Sequence, residues 1–124
     1  LNLGHTFAHA FEAEAKYDGR LLHGEAVAAG MGVAFKLSVR MGLCDKNDLD
    51  LMRAHLKLQQ LPGDNQELAA GNAEPDALIK HMQHDKKVLG GNMRFVLVRG
   101  IGEAFVTSEV ELDDVRAALG GLER

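Results

Sequence analysis

Histidines stand at positions 5 and 9 of the run Gly4-His5-Thr6-Phe7-Ala8-His9, and a third follows in His23-Gly24-Glu25. Imidazole is the commonest protein ligand for zinc, and an i, i+4 pair on a helix puts both rings on one face, within reach of a common centre. A third imidazole arriving from the start of a second helix would bring the set close to the protein ligands of a catalytic zinc ion. On spacing alone, hydrogen-bonded core histidines account for the same residues equally well. The other candidate chemistry is anion binding by Lys86 and Lys87 beside Asp85, for which a solvated charge cluster is the simpler reading. Asn2, one turn before His5, has an amide that could hold a substrate oxygen or cap a helix.

These side chains need elements to hold them. A helix starting at Asn2 or Thr6 and running to about Lys16 follows from the period of Phe7, Ala10, Phe11 and Ala13 against Glu12, Glu14 and Lys16. Tyr17-Asp18-Gly19-Arg20 has the composition of a turn, and a second helix over residues 25–41 follows, with His23 at or just before its N-terminus. That helix is apolar on nearly every side as far as Phe35, so it should be buried. Glycine inside a helix costs up to about 1 kcal/mol relative to alanine, so Gly30 and Gly32 mark close approach by another segment.

Gly42 closes the second helix, and Asn47 or Asp48 can cap a third one running through Leu56 until Leu61-Pro62-Gly63-Asp64 breaks it. Residues 65–74 read as loop or weak helix, and Pro75 opens a fourth helix that delivers His84-Asp85-Lys86-Lys87. Gly90-Gly91-Asn92 is a turn signal before strands at residues 93–98 and 104–107, and residues 112–119 form a last amphipathic helix. The expected fold is mainly α, a helical domain with a small antiparallel β-hairpin near its C-terminus.

At 124 residues, 46% of them apolar, the chain is long enough for one domain with its own core. A net charge of -4 and the absence of a basic run argue against a nucleic-acid partner. No stretch approaches the roughly 18 to 20 apolar residues of a membrane span, so no membrane partner is expected. The single cysteine, Cys44, cannot pair internally, which fits a reduced, cytoplasmic setting, and it reads as a small packed side chain rather than a nucleophile.

The run Leu1-Asn2-Leu3-Gly4-His5-Thr6-Phe7-Ala8-His9-Ala10-Phe11-Glu12, followed by Leu22-His23-Gly24-Glu25-Ala26-Val27, by Asp85-Lys86-Lys87 and by Arg94-Phe95-Val96-Leu97, resembles 3-dehydroquinate synthase. The first two motifs are shared with sibling sugar-phosphate cyclases and, more loosely, with metal-dependent polyol dehydrogenases; Asp85-Lys86-Lys87 narrows the match. Ala8 departs from the family run, where glycine is common.

The resemblance implies that residues 1–124 are the C-terminal metal- and substrate-binding domain of a larger enzyme whose N-terminal NAD-binding domain lies outside this sequence. That agrees with a sequence opening inside a motif. By the family pattern His5 and His23 bind the catalytic Zn2+ (or Co2+), with a third ligand, a glutamate, in the upstream half. His9 is the catalytic acid/base, Asn2 touches the substrate's phosphate end, and a lysine of the Asp-Lys-Lys element, Lys86 before Lys87, reaches its anionic end. The implied reaction is the shikimate-pathway conversion of 3-deoxy-D-arabino-heptulosonate 7-phosphate to 3-dehydroquinate and phosphate. In it NAD takes up and returns a hydride, and the metal serves as Lewis acid. The full-length enzyme is expected to be a homodimer, and the isolated piece to be inactive. Glu25 reads as a helix N-terminal carboxylate and Arg94 as a partner of Asp85 or another carboxylate. Glu12 reads as a surface group with the option of orienting a ligand histidine. His55, His81 and His84 receive no role.

Overall fold

The helical periods just described produce five helices and one hairpin among the described residues. The computed structural model describes residues 3–16, 19–89 and 93–120, with backbone alone for 85–89. Helix α1 spans His5–Glu14, α2 His23–Arg40, α3 Lys46–Leu58, α4 Pro75–Leu89 and α5 Leu112–Leu119, with a single 3₁₀ turn at Asn65–Glu67. Strands β1 (Phe95–Val98) and β2 (Ala104–Thr107) pair antiparallel with Phe95 opposite Thr107 and Val98 opposite Ala104. The mainly helical fold with a small hairpin is therefore present as expected.

Helix α2 is the axis. It touches α1, α3, α5, β1 and the 3₁₀ turn, and its apolar surface is buried almost all round, as the run of small and apolar residues requires. Phe7 and Phe11 of α1, Val33 and Leu37 of α2, and Leu78 and Met82 of α4 belong to one continuous core. Phe7 also meets Phe95 with ring centroids 5.8 Å apart, in the range of favourable aromatic pairs, which seats α1 against the hairpin. A second polar fastening works through Ser38, whose Oγ donates to the Ala34 carbonyl at 2.7 Å and accepts the Val98 N–H at 3.0 Å.

Element ends differ from expectation where backbone geometry outweighs side-chain signals. Gly4, left-handed at φ 81°, is the N-cap of α1, so the helix begins at His5 rather than at Asn2 or Thr6. It ends at Glu14, and Lys16 stands at φ 60° beyond it. Helix α2 begins two residues before the expected start and takes in His23 as its first residue. Asp45, extended at ψ 142°, is the N-cap of α3 in place of Asn47 or Asp48. Asp48 falls instead in the first turn, where a carboxylate favours the helix dipole. Strand β1 starts at Phe95 instead of Met93. The turns expected at Tyr17-Asp18 and Gly90-Gly91-Asn92 lie outside the described residues.

Candidate metal and substrate site

The histidine cluster begins with two glycines. A Cβ on Gly30 would lie 2.3 Å from the Gly4 carbonyl oxygen, and one on Gly4 would lie 2.5 Å from the Met31 nitrogen, so only glycine at both places lets the start of α1 rest on the middle of α2. This close approach, inferred from the interior glycines, is what fixes His5. One turn on, His9 shares the face of His5, with ring centroids 5.9 Å apart.

From the first turn of α2, His23 comes across to α1. Its ring centroid is 6.3 Å from that of His5, edge-on at 69°. His23 Nδ1 lies 2.8 Å from Glu12 Oε2. The His23 side chain is 66% exposed, while Glu12 is only 16% exposed. The three motif histidines, 18 residues apart from first to last, thus gather at one end of the α1–α2 pair.

The donor set fits part of a metal site. Two imidazoles on one tetrahedral ion have ring centroids about 5 Å apart, given Zn–N bonds of about 2.0–2.1 Å. The 6.3 Å between His5 and His23 is wider than that, so the two rings stand near each other without being set at ligand spacing. With Nδ1 of His23 turned to Glu12, its Nε2 is left for an ion. Among the described residues no three histidine, cysteine or carboxylate groups converge as a complete ligand set. Two imidazoles fall short of the three protein ligands usual for a catalytic zinc ion.

The carboxylates sort themselves by their partners. Glu25 Oε1 accepts the Leu22 N–H at 3.0 Å, which makes it the N-terminal carboxylate of α2 that the sequence suggested rather than a ligand. Glu14 Oε1 meets His81 Nε2 at 3.1 Å and so fastens α1 to α4. Sequence reasoning gave His81 no role, and a contact across 67 residues leaves no local signal.

Lys86 and Lys87 stand on the last turns of α4, the helix expected to deliver them. Their side chains, and the expected Asp85–Arg94 pairing, lie outside what is described, as does Asn2. Arg94 itself is exposed, and its backbone carbonyl accepts the Thr6 hydroxyl at 3.1 Å.

A second polar cluster was not foreseen. Lys36, in the otherwise apolar α2, lies 3.2 Å from Asp64 Oδ2, and Arg53 of α3 reaches the same oxygen at 3.1 Å. The Lys36 and Asp64 side chains are 2% and 4% exposed, and the other Asp64 oxygen accepts the Gln66 N–H at 2.8 Å. A lysine on the inward face of a buried helix was the available signal.

Residues 1–88 match the family model described as 3-dehydroquinate synthase C-terminal. The chain belongs to the 3-dehydroquinate synthase family. It is 51% identical to the 3-dehydroquinate synthase of Jannaschia sp. (strain CCS1) and 50% identical to that of Ruegeria pomeroyi. Both alignments cover 96% of the chain and 32% of the relative. The chain therefore spans about a third of the length of these family members. Among solved structures it is similar to the 2-epi-5-epi-valiolone synthase of Streptomyces hygroscopicus with NAD+ and Zn2+ bound, at TM-score 0.80 and 30% identity over 95% of the chain and 31% of that protein. It is also similar to 2-deoxy-scyllo-inosose synthase complexed with carbaglucose-6-phosphate, NAD+ and Co2+, at TM-score 0.69 and 27% identity over 95% of the chain and 32% of that protein. The family resemblance read from the motifs is thereby established, and the helical fold with its hairpin is that of the cyclases. No helix of the described residues is long and apolar enough to cross a membrane.

Proposed function

We propose that this chain is the C-terminal metal- and substrate-binding domain of a 3-dehydroquinate synthase, acting with an N-terminal NAD-binding domain to convert 3-deoxy-D-arabino-heptulosonate 7-phosphate to 3-dehydroquinate and phosphate. The observation that carries the reading is the nearness of His5 to both His9 and His23 where α1 meets α2, with Glu12 against His23 Nδ1. An interaction module would have no use for this convergence. The higher identity to 3-dehydroquinate synthases than to the two cyclase structures favours this substrate over that of a sibling enzyme.

In this reading His5 and His23 supply two imidazoles to a Zn2+ or Co2+ ion, and the third protein ligand comes from the upstream domain. The bound metal supplies Lewis-acid polarisation of a substrate hydroxyl, and NAD supplies the hydride acceptor and donor. His9 is exposed on the same face and moves protons at the substrate. Asn2 holds the phosphate end and Lys86 or Lys87 the anionic end of the sugar phosphate. The cleft between two domains is a common place for such a ligand. The full-length enzyme is a cytoplasmic homodimer in this reading.

The deciding experiment measures phosphate release by the full-length polypeptide with NAD and zinc, from the heptulosonate phosphate and, in parallel, from sedoheptulose 7-phosphate. Release from the heptulosonate alone, abolished by chelation and by His5→Ala, is the expected result. Release from sedoheptulose 7-phosphate alone would make it a sibling cyclase. The 124-residue piece by itself is expected to show no turnover, and NAD-dependent turnover by it would overturn the two-domain reading.

A further inference from the structure

His23 is a ligand with little to hold it. It stands on the first turn of α2, and its side chain is 66% exposed. An unrestrained imidazole offers either nitrogen to an ion, and each choice places the ion differently. Among the described residues, the one short polar contact to its ring is the 2.8 Å approach of Glu12 Oε2 to Nδ1. An ionised carboxylate can only accept, so Nδ1 is the donor in this contact, and in the neutral ring the lone pair is then on Nε2.

Glu12 is well placed for that task. It lies seven residues after His5, close to two helical turns, so it returns to the same face of α1. It is mostly buried, unlike the ring it holds. The neighbouring carboxylates are engaged elsewhere, Glu14 with His81 and Glu25 with the Leu22 N–H. The helix that bears one ligand thus also bears the group that aims the other.

We propose that Glu12 is the positioning carboxylate of this site: it fixes His23 as the Nδ1–H tautomer, presents Nε2 to the metal, and ties the α2 ligand to the helix that carries His5. The inference rests on the metal role proposed above for His5 and His23.

The test compares zinc affinity, by competition with a chelator, in full-length wild-type, Glu12→Ala, Glu12→Gln and His23→Ala proteins, together with the His23 tautomer from 15N NMR of histidine-labelled protein. Losing such an outer partner typically weakens metal binding by about 10–100-fold, and that is the loss expected for Glu12→Ala, with a mixed tautomer at His23. Glu12→Gln retains an acceptor of nearly the same shape, so it should keep its fold and lose less affinity. It therefore carries the test if the alanine variant does not fold. Zinc affinity within twofold of wild type in both Glu12 variants, with His23 still in the Nδ1–H form, would overturn the proposal while a weakened His23→Ala leaves the metal site standing. Undiminished zinc binding by His23→Ala would bring down the metal role and the Glu12 proposal together.

Discussion

Helix α2 receives two polar residues from neighbouring segments by the same device, and the two outcomes are opposite. At Gly30 it accepts the Gly4 carbonyl, and the next residue along the incoming chain is His5. At Gly32 it accepts the Gly63 carbonyl, where an added Cβ would stand 1.6 Å from the oxygen, and the next residue is Asp64. Asp64 is buried and fully engaged by Lys36, Arg53 and the Gln66 N–H. The histidine end stays exposed, with ring nitrogens left over. Satisfied and dry, the Asp64 cluster is structure; the histidine cluster, exposed, is the one left open to a ligand.

Exchanging the two clusters' variants gives the widest separation. In the full-length enzyme His23→Ala is expected to reduce turnover to that of chelator-treated enzyme, a larger loss than the 10–100-fold of an outer partner. Its unfolding free energy from urea titration should stay within about 0.5 kcal/mol of wild type, since the side chain is exposed. Asp64→Ala should do the reverse. It leaves the Lys36 ammonium buried without its partner, at a cost of about 3–5 kcal/mol, with zinc affinity unchanged in the folded fraction. A stable Asp64→Ala, or a His23→Ala that unfolds, would dissolve the distinction between the two ends.

The glycines under each cluster sharpen it further, with smaller effects. Gly30→Ala and Gly32→Ala both push a methyl into a backbone carbonyl, which overpacking prices at about 1–3 kcal/mol, the larger cost falling on Gly32. Only Gly30→Ala should also weaken zinc binding, because only there does the displaced backbone lead into His5. Equal losses of zinc affinity in the two variants would mean that α2 transmits strain from one face to the other and that the two clusters are not independent.

The sequence disclosed the histidine end and hid the other, for a physical reason. His5, His9 and His23 lie close enough in the chain for helical spacing to bring them together, and interior glycines announce a close approach without naming the partner. The Lys36–Asp64 pair, 28 residues apart, depends on where the break after α3 folds back, which no local period records. The same holds for Glu14 with His81. Boundaries failed where a backbone angle decided: the left-handed Gly4 and the extended Asp45 override the capping preferences that pointed to Asn2, Asn47 or Asp48. Helix types, strand positions and the hairpin depended on periodicity and turn residues alone, and these were readable.

Cys44 applies the same lesson to a single group, where the expected effect is smallest. The residue type is reactive, yet its surroundings past the end of α2 oppose the thiolate. Burial raises the thiol pKa above its ordinary value first, and the negative charges of Asp48 and Asp45 raise it further. Only the thiolate is nucleophilic, so alkylation by iodoacetamide near neutral pH should be slower than for an unperturbed cysteine. Asp48→Asn removes one charge and should speed the reaction, by less than the roughly tenfold that a full pKa unit of thiolate would bring. For stability the sign follows from the folded-state pKa lying above the unfolded one. The contribution is complete below the unfolded pKa and disappears as pH rises through the folded one, so wild type should lose stability with alkali that Cys44→Ser does not. An unchanged alkylation rate in Asp48→Asn would remove Asp48 from the causes, and the rule drawn from α2, that surroundings rather than residue type decide which polar group is chemically open, would then rest here on burial and Asp45.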